Sequence, residues 1–425
     1  MKYILIIGDG MADEPVQKLG GKTPLQYALI PAMDALASAG EIGTVLTIPE
    51  GMQAGSDTAI LSIFGCDPRE CFSGRAPLEA AATGIRLEPG DIAYRCNMVA
   101  FEDGDMPFED KKILSHSAGS IEGDESDALV AELFETPGFA EAAKEAGVTV
   151  YPGSSFRHIA VQSLRKSGVS VQAAGAKSGE QSDKISLTPP HDHIGETLGQ
   201  HLPQGGSNAE TLSQLMRLAH GILNVHPTNA KRRALGKLPA NGIWFWAEGT
   251  AVQLPGFVDK YSKTGAVISA VPLCQGIGTL IGLDKIIVEG ATGELHTNYE
   301  GKAEAALEAL KTHDFVAIHI EAPDECTHDG DLKGKIQAIE WIDSRILTPL
   351  TKKLAKDGVD YRMLVISDHR TLTSTRGHDG DPVPYIIYDS RVNNGTDMPF
   401  SEATAAESGK KIPAGTELMG RLFGS

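Results

Sequence analysis

Cysteine is scarce. Five residues in 425 (Cys66, Cys71, Cys96, Cys274 and Cys326) make an odd set with no C-x-x-C pair, which excludes a disulfide framework and predicts reduced thiols in a cytoplasmic protein. Long apolar runs are missing too. The N-terminal run from Tyr3 to Ile7 is too short for a signal sequence, and no 18-residue apolar segment follows, so no leader and no membrane span are expected. Positive charge is the third shortage: 38 Lys and Arg stand against 56 Asp and Glu, a net charge of −18. A nucleic-acid partner needs a basic face and is excluded on that ground. An anionic substrate would be repelled overall, so any phosphate site must be made locally cationic by Arg, Lys or metal. Gly20-Gly-Lys-Thr23 has Val16 where a P-loop needs its first glycine, and Gly276-x-Gly278 lacks the third glycine of a dinucleotide fingerprint.

The length predicts two domains rather than one core, and 41% hydrophobic with 22% charged residues is the balance of a globular protein. Tyr3-Ile-Leu-Ile-Ile7 is apolar without alternation, as a central parallel strand should be, and it stops at Gly8-Asp9-Gly10. A helix from Thr23 to Ala39, a strand at Gly43 to Ile48, a helix opening at Gly55-Ser56-Asp57 and another from Gly74 follow. From about residue 89 the rhythm changes to short strands, turns and a polar Gly/Ser/Gln-rich patch (Gly175 to Ser186). The βα pattern returns near residue 277, with strands at Lys285 to Val288, Phe315 to Ile320, Met363 to Ile366 and Pro384 to Tyr388. This predicts an α/β core of residues 1–88 and 277–425 with a second domain, 89–276, inserted into it.

Three apolar strands are each followed by a carboxylate: Asp9, Asp324 and Asp368. His328, His369 and His378 accompany them. Pro323 reads as a break that leaves Asp324 and His328 in a turn. Parallel strands separated by helices place their carboxyl ends on one edge, so residues 369 positions apart can converge there. Three carboxylates and three imidazoles suit a pair of divalent ions such as Mn²⁺ or Zn²⁺, whereas an all-oxygen set would suit Ca²⁺ or Mg²⁺. Taken singly, a strand-end Asp also serves to cap a helix. Ser56, at a helix start, is either an N-cap or a nucleophile whose alkoxide the helix dipole and a nearby cation would favour. In the inserted segment, Arg157 and His158 lie in a β-like run, and Thr188-Pro-Pro-His-Asp-His193 is a rigid turn carrying His191 and Asp192. Either pair could grip an anion or be plain surface charge.

These motifs resemble the archaeal type of 2,3-bisphosphoglycerate-independent phosphoglycerate mutase, in the alkaline-phosphatase-like metalloenzyme superfamily. The matching stretches run nearly end to end: Ile7-Gly-Asp-Gly-Met-Ala-Asp13, Gly55-Ser-Asp57, Gly74-Arg-Ala-Pro-Leu-Glu79, Asp91 to Asn97, Phe156-Arg-His158, Glu289 to Gly293, Glu321 to His328, Ser367-Asp-His369 and His378 to Pro384. The resemblance implies an alkaline-phosphatase-like doubly wound core with an inserted α/β domain. It implies one divalent ion on Asp324, His328 and His378, and another on Asp9, Asp368, His369 and the nucleophile Ser56. Mn²⁺ comes first among Mn²⁺, Mg²⁺, Zn²⁺ and Co²⁺, and no 2,3-bisphosphoglycerate is required. It implies interconversion of 3- and 2-phosphoglycerate through phosphoserine, with the inserted domain holding the glycerate. Arg157 and His158 would contact substrate, with Arg75 and Lys302 as further phosphate candidates. One departure from the bacterial type is that Asn241-Gly-Ile-Trp-Phe-Trp246 has no Arg where that type carries Asn-Phe-Arg. A phosphotransferase of the same chemistry with another acceptor, such as a homoserine kinase, is the alternative reading.

Overall fold

A computed structural model of the chain describes residues 1–153, 155–163, 185–206, 208–393, 395 and 397–424. Most of the polar patch from Gly175 lies outside the described residues. The chain forms two compact units: residues 1–72, 81–83 and 253–425 make the first, and 73–80 with 84–252 the second. In chain order the early strands are β1 (Lys2–Gly8), β2 (Glu41–Val45), β3 (Asp91–Phe101), β4 (Ile113–Ser115), β5 (Val148–Tyr151), β6 (Arg157–Ser163) and β7 (Gly242–Thr250). The later ones are β8 (Gly265–Ile268), β9 (Asp284–Ile286), β10 (Phe315–Ile320), β11 (Tyr361–Ile366), β12 (Arg370–Leu372), β13 (Gly377–Asp379), β14 (Val383–Asp389) and β15 (Lys411–Ile412).

The first unit is built on an eight-stranded sheet in the order β15-β2-β14-β11-β1-β10-β8-β9. Strand β8 precedes residue 277, where the sequence pattern returns to βα, yet it belongs to this sheet. Its four residues are all buried, so they carry no alternation from which to read a strand. The helix Arg75–Ala82 lies mostly in the second unit. Strand β1 is central and pairs in parallel with both β10 and β11. Ile4, Leu5, Ile6 and Ile7 have no exposed surface, which is why the run is apolar without alternation. Strand β14 runs antiparallel to both its neighbours, β11 and β2, so β2 points the same way as β1.

Helices Pro31–Ala39, Tyr299–Thr312 and Leu332–Trp341 pack onto the sheet through Met33, Ala306 and Ile339, all with almost no exposure. Burying each large aliphatic side chain contributes about 1.5–3 kcal/mol. The last two start where side chains cap them: Asn298 accepts from the Gly301 N–H, and Asp331 from the Gly334 N–H. Lys335 is fully buried, and its ammonium donates to Asp13 Oδ2 at 2.8 Å and to the Thr371 carbonyl at 2.6 Å. This pair ties the loop after β1 to strand β12.

In the second unit the long strand β3 is antiparallel to β6, β7 and β4, and β5 extends the sheet beyond β6. Helices Gly123–Glu135, Phe139–Ala146 and Ala209–Asn224 close a core that includes Tyr94, Phe101, Leu129, Phe139, Leu212 and Phe245. His158, on β6 opposite Cys96, is buried with both ring nitrogens engaged. Nδ1 accepts from the Gly153 N–H at 3.2 Å, so Nε2 carries the proton and donates to Ser126 Oγ at 2.9 Å. Burial pushes its pKa down from 6.5 to about 4. Among the described residues, no helix is long and apolar enough to cross a membrane.

Lys335→Met would leave the Asp13 carboxylate buried and unpaired. It is expected to lower the unfolding free energy in urea by about 3–5 kcal/mol, with much of the loss recovered by adding Asp13→Asn. For His158, the unfolded chain binds a proton near pH 6.5 while the folded chain does so only near pH 4. The depressed folded pKa stabilises the fold above the upper value, and that contribution falls away as pH drops from about 6.5 to about 4, by roughly 3 kcal/mol. Urea titrations across this window should show the loss in the natural protein and much less of it in His158→Gln.

Candidate functional site

The first unit brings the strand-end residues to one edge of its sheet. Asp9 follows β1, Glu321 follows β10, and Ser367, Asp368 and His369 follow β11. These three strands are adjacent and parallel, so their carboxyl ends lie side by side. Strand β14 runs the other way and therefore begins at this edge; the hairpin of β12 and β13 in front of it delivers His378. Ser56 is the first residue of helix Ser56–Ile63, whose N-cap is Gly55. The Ser56 side chain is thus free of capping duty. The stretch read as a turn at Pro323 is instead a short helix, Ala322–His328, with Pro323 in its first turn, where a missing N–H costs nothing. One helical turn places Asp324 and His328 on the same face.

Two groups of atoms result. In the first, His369 Nε2 lies 3.1 Å from Ser56 Oγ, 3.5 Å from Asp9 Oδ1 and 3.4 Å from Asp368 Oδ2. In the second, Asp324 Oδ2 is 3.0 Å from His328 Nε2, Asp324 Oδ1 is 3.4 Å from His378 Nε2, and the two Nε2 atoms are 2.9 Å apart. The groups adjoin, since the rings of His369 and His378 have centroids 4.2 Å apart. All seven expected ligands therefore meet in one place.

The donor set suits cations. Asp9 Oδ1 and Asp368 Oδ2 are buried without a hydrogen-bond partner, as is Glu321 Oε2. The second oxygen of each aspartate is used: Asp368 Oδ1 accepts from the Gly10 and His369 N–H groups, and Asp9 Oδ2 lies 2.8 Å from His319 Nε2. A buried carboxylate oxygen left bare costs too much to keep unless a cation faces it. Burial, with Asp368, Glu321 and Asp324 close by, pushes the Asp9 carboxyl well above the usual range. Burial alone would also raise Asp324, but the hydrogen bonds from His328 and His378 hold it well below. His328 Nδ1 donates to the Arg376 carbonyl at 2.8 Å, which turns its Nε2 toward the cluster. Asp324 raises the His328 pKa to about 9 by the hydrogen bond between them. Gly10 is required here, because its φ is +59° and a Cβ would run into Thr371 Oγ1 and Asp324 Oδ1.

Two residues of this edge escape the sequence reading. His319 bridges Asp9 and Ser269 Oγ, at 2.8 and 3.0 Å, and Glu321 sits beside them. The available signal was a histidine inside the otherwise apolar Phe315–Ile320 run, since a buried imidazole must find partners. Lys302 is buried, and its ammonium donates to the His319 carbonyl, with burial lowering its pKa to about 8.

The remaining expected residues belong to the second unit. Arg157 is exposed at the start of β6 with its guanidinium over the Phe156 ring, and His158 is buried as described. Arg75 contacts Glu79, which also pairs with Arg95. His191 lies edge-on to Trp246 and His116, and burial together with the charges of Arg157 and Arg95 lowers its pKa. Asp192 is its immediate neighbour, at 3.6 Å. Arg95 stacks on Trp246, whose indole N–H donates to Asn97. Arg95 and His116 thus lie beside Trp246 and His191 without having been singled out in sequence.

Residues 37–229 match the 2,3-bisphosphoglycerate-independent phosphoglycerate mutase family. Over 424 residues the chain is 44% identical to a Methanosarcina barkeri protein of that name, covering 100% of this chain and 98% of the relative. It is 43% identical to a probable one from Geobacter sulfurreducens, covering 99% and 98%. Among solved structures, a Pyrococcus horikoshii protein superposes with a TM-score of 0.78 at 30% identity, covering 100% of this chain and 97% of the other. The cofactor-independent phosphoglycerate mutase of Thermoplasma acidophilum superposes at 0.62 and 28%, covering 100% and 99%. With sequence likeness along its whole length and this α/β fold, the chain belongs to the 2,3-bisphosphoglycerate-independent phosphoglycerate mutases, a family of isomerases.

Proposed function

We propose that this chain interconverts 3-phosphoglycerate and 2-phosphoglycerate through a phosphoserine at Ser56, beside two divalent ions of which Mn²⁺ is the first choice. One ion would be held by Asp324, His328 and His378, the other by Asp9, Asp368, His369 and Ser56. The observation that carries this reading is the position of Ser56 Oγ, 3.1 Å from His369 Nε2, next to two buried carboxylate oxygens with no partner. Divalent ions there would neutralise the phosphoryl oxygens and lower the pKa of the Ser56 hydroxyl.

The chain's own residues do the rest. Ser56 Oγ attacks phosphorus in line; the bond from phosphorus to the C3 oxygen breaks, and the proton lost by Ser56 ends on that oxygen as a glycerate hydroxyl. Glycerate then presents its 2-hydroxyl, which attacks the phosphoserine, reforms the Ser56 hydroxyl and yields 2-phosphoglycerate. Phosphate is conserved, so no bisphosphoglycerate is consumed. Ser56 at the first turn of its helix adds the partial positive charge of the unpaired N–H groups to the phosphoryl site. His319 holds Asp9 in orientation through Ser269, with Glu321 close by.

With Mn²⁺ and no bisphosphoglycerate, an enolase-coupled assay should show turnover in both directions, abolished by chelator and restored by metal. Ser56→Ala should lower kcat by at least about a thousandfold, and a short quench with labelled substrate should place phosphate on Ser56 in the natural protein only. Retained mutase activity in Ser56→Ala would sink the reading. His319→Ala, which removes only the support of Asp9, is expected to cost roughly 10–100-fold in activity or in metal affinity, with the fold intact by circular dichroism.

A further inference from the structure

The imidazole-rich turn of the second unit ends in His193, which takes no part in the groups described so far. Three residues on it and just beyond, His193, Glu196 and His201, bring one ligand atom each to within 4.8 Å of one another. Glu196 Oε2 is 3.2 Å from His193 Nδ1 and 2.8 Å from His201 Nε2. Tetrahedral ligands at zinc bond lengths stand about 3.3 Å apart, so this spacing is close to what one ion would ask for. The two rings stack, with centroids 3.9 Å apart and an interplanar angle of 19°, and so approach the same carboxylate from one side.

A purely hydrogen-bonded trio explains only half of this. His193 Nδ1 bonds to Glu196. His201 Nε2, by contrast, is buried and lacks a hydrogen bond despite its 2.8 Å approach to Oε2. A hydrogen bond needs the N–H aimed at the oxygen, whereas a cation needs only lone pairs that converge on a common point. The backbone holds the segment in place: Ile113 N–H donates to the Glu196 carbonyl, Gly195 N–H to the Ile113 carbonyl and Leu198 N–H to the Lys111 carbonyl. Glu196 keeps about half its side chain in solvent (51%), which leaves room for water as a further ligand.

We infer that His193, Glu196 and His201 form a third divalent-metal site, of the two-histidine, one-carboxylate kind, that clips the loop leaving the His191 turn. Two imidazole nitrogens and one carboxylate oxygen select Zn²⁺, Ni²⁺ or Cu²⁺ over Mg²⁺ or Ca²⁺. The site shares no residue with the Ser56 cluster and does not depend on the reaction proposed for it.

The test is a metal count on the full chain. Protein stripped with chelator is dialysed against micromolar free Zn²⁺, and bound zinc is measured by atomic emission for the natural protein, for His193→Gln/His201→Gln and for Glu196→Gln. The double variant should retain one ion fewer per chain, and Glu196→Gln, at a half-exposed position that leaves the fold undisturbed, should weaken that same ion at least tenfold in a competition with a coloured chelator. In Co²⁺-loaded protein, a visible absorption component should be present in the natural chain and missing from both variants. Equal counts and equal competition curves in all three proteins would overturn the site, whatever the outcome of the mutase assay.

Discussion

Four carboxylates are crowded into a buried edge: Asp9, Asp368, Asp324 and Glu321. Burial and mutual repulsion push Asp9 upward, and burial pushes Glu321 to about 7. Such a concentration of acid is unstable unless positive charge compensates it. The imidazoles of His328 and His378 provide some, enough to keep Asp324 ionised. Three carboxylate oxygens remain unsatisfied, and the arrangement makes physical sense as a cradle for divalent ions.

The rest of the first unit keeps that edge rigid. Strand β1 is locked between β10 and β11 in parallel register, which fixes the separation of Asp9, Glu321 and Asp368. The buried Lys335 ammonium, bonded to Asp13 and to the Thr371 carbonyl, holds the segment after β1 against the chain beyond β11. Gly10 lets the backbone pass where any side chain would collide with Thr371 and Asp324. A site built from strand ends tolerates little slack, because shifting one ligand by an ångström misaligns the others.

The second unit follows a different plan. Its antiparallel sheet carries Arg95, Arg157 and Trp246, the turn Pro190–His193 sets His191 against the Trp246 ring, and Asn97 orients the indole. The Arg95 charge is balanced by its buried pair with Glu79, while Arg157 is exposed at the start of β6. His158 has the opposite character: fully enclosed and neutral, it supports β6 from the helix side instead of meeting solvent.

The apolar strands, the carboxylates and imidazoles after them, and Ser56 at a helix start were all legible in sequence, because period, turn residues and helix-start chemistry act over a few neighbouring positions. The short helix at Ala322–His328 was not, since a proline at its first turn reads locally like a break. Strand β8 was missed for lack of alternation, and so the boundary fell late. His319, Glu321, Arg95 and His116 gained their surroundings only when distant strands paired, as did Lys302, buried against the His319 carbonyl. Local interactions decide what each segment becomes; which side chains face one another across 300 residues is decided by strand order and register, which only tertiary packing selects.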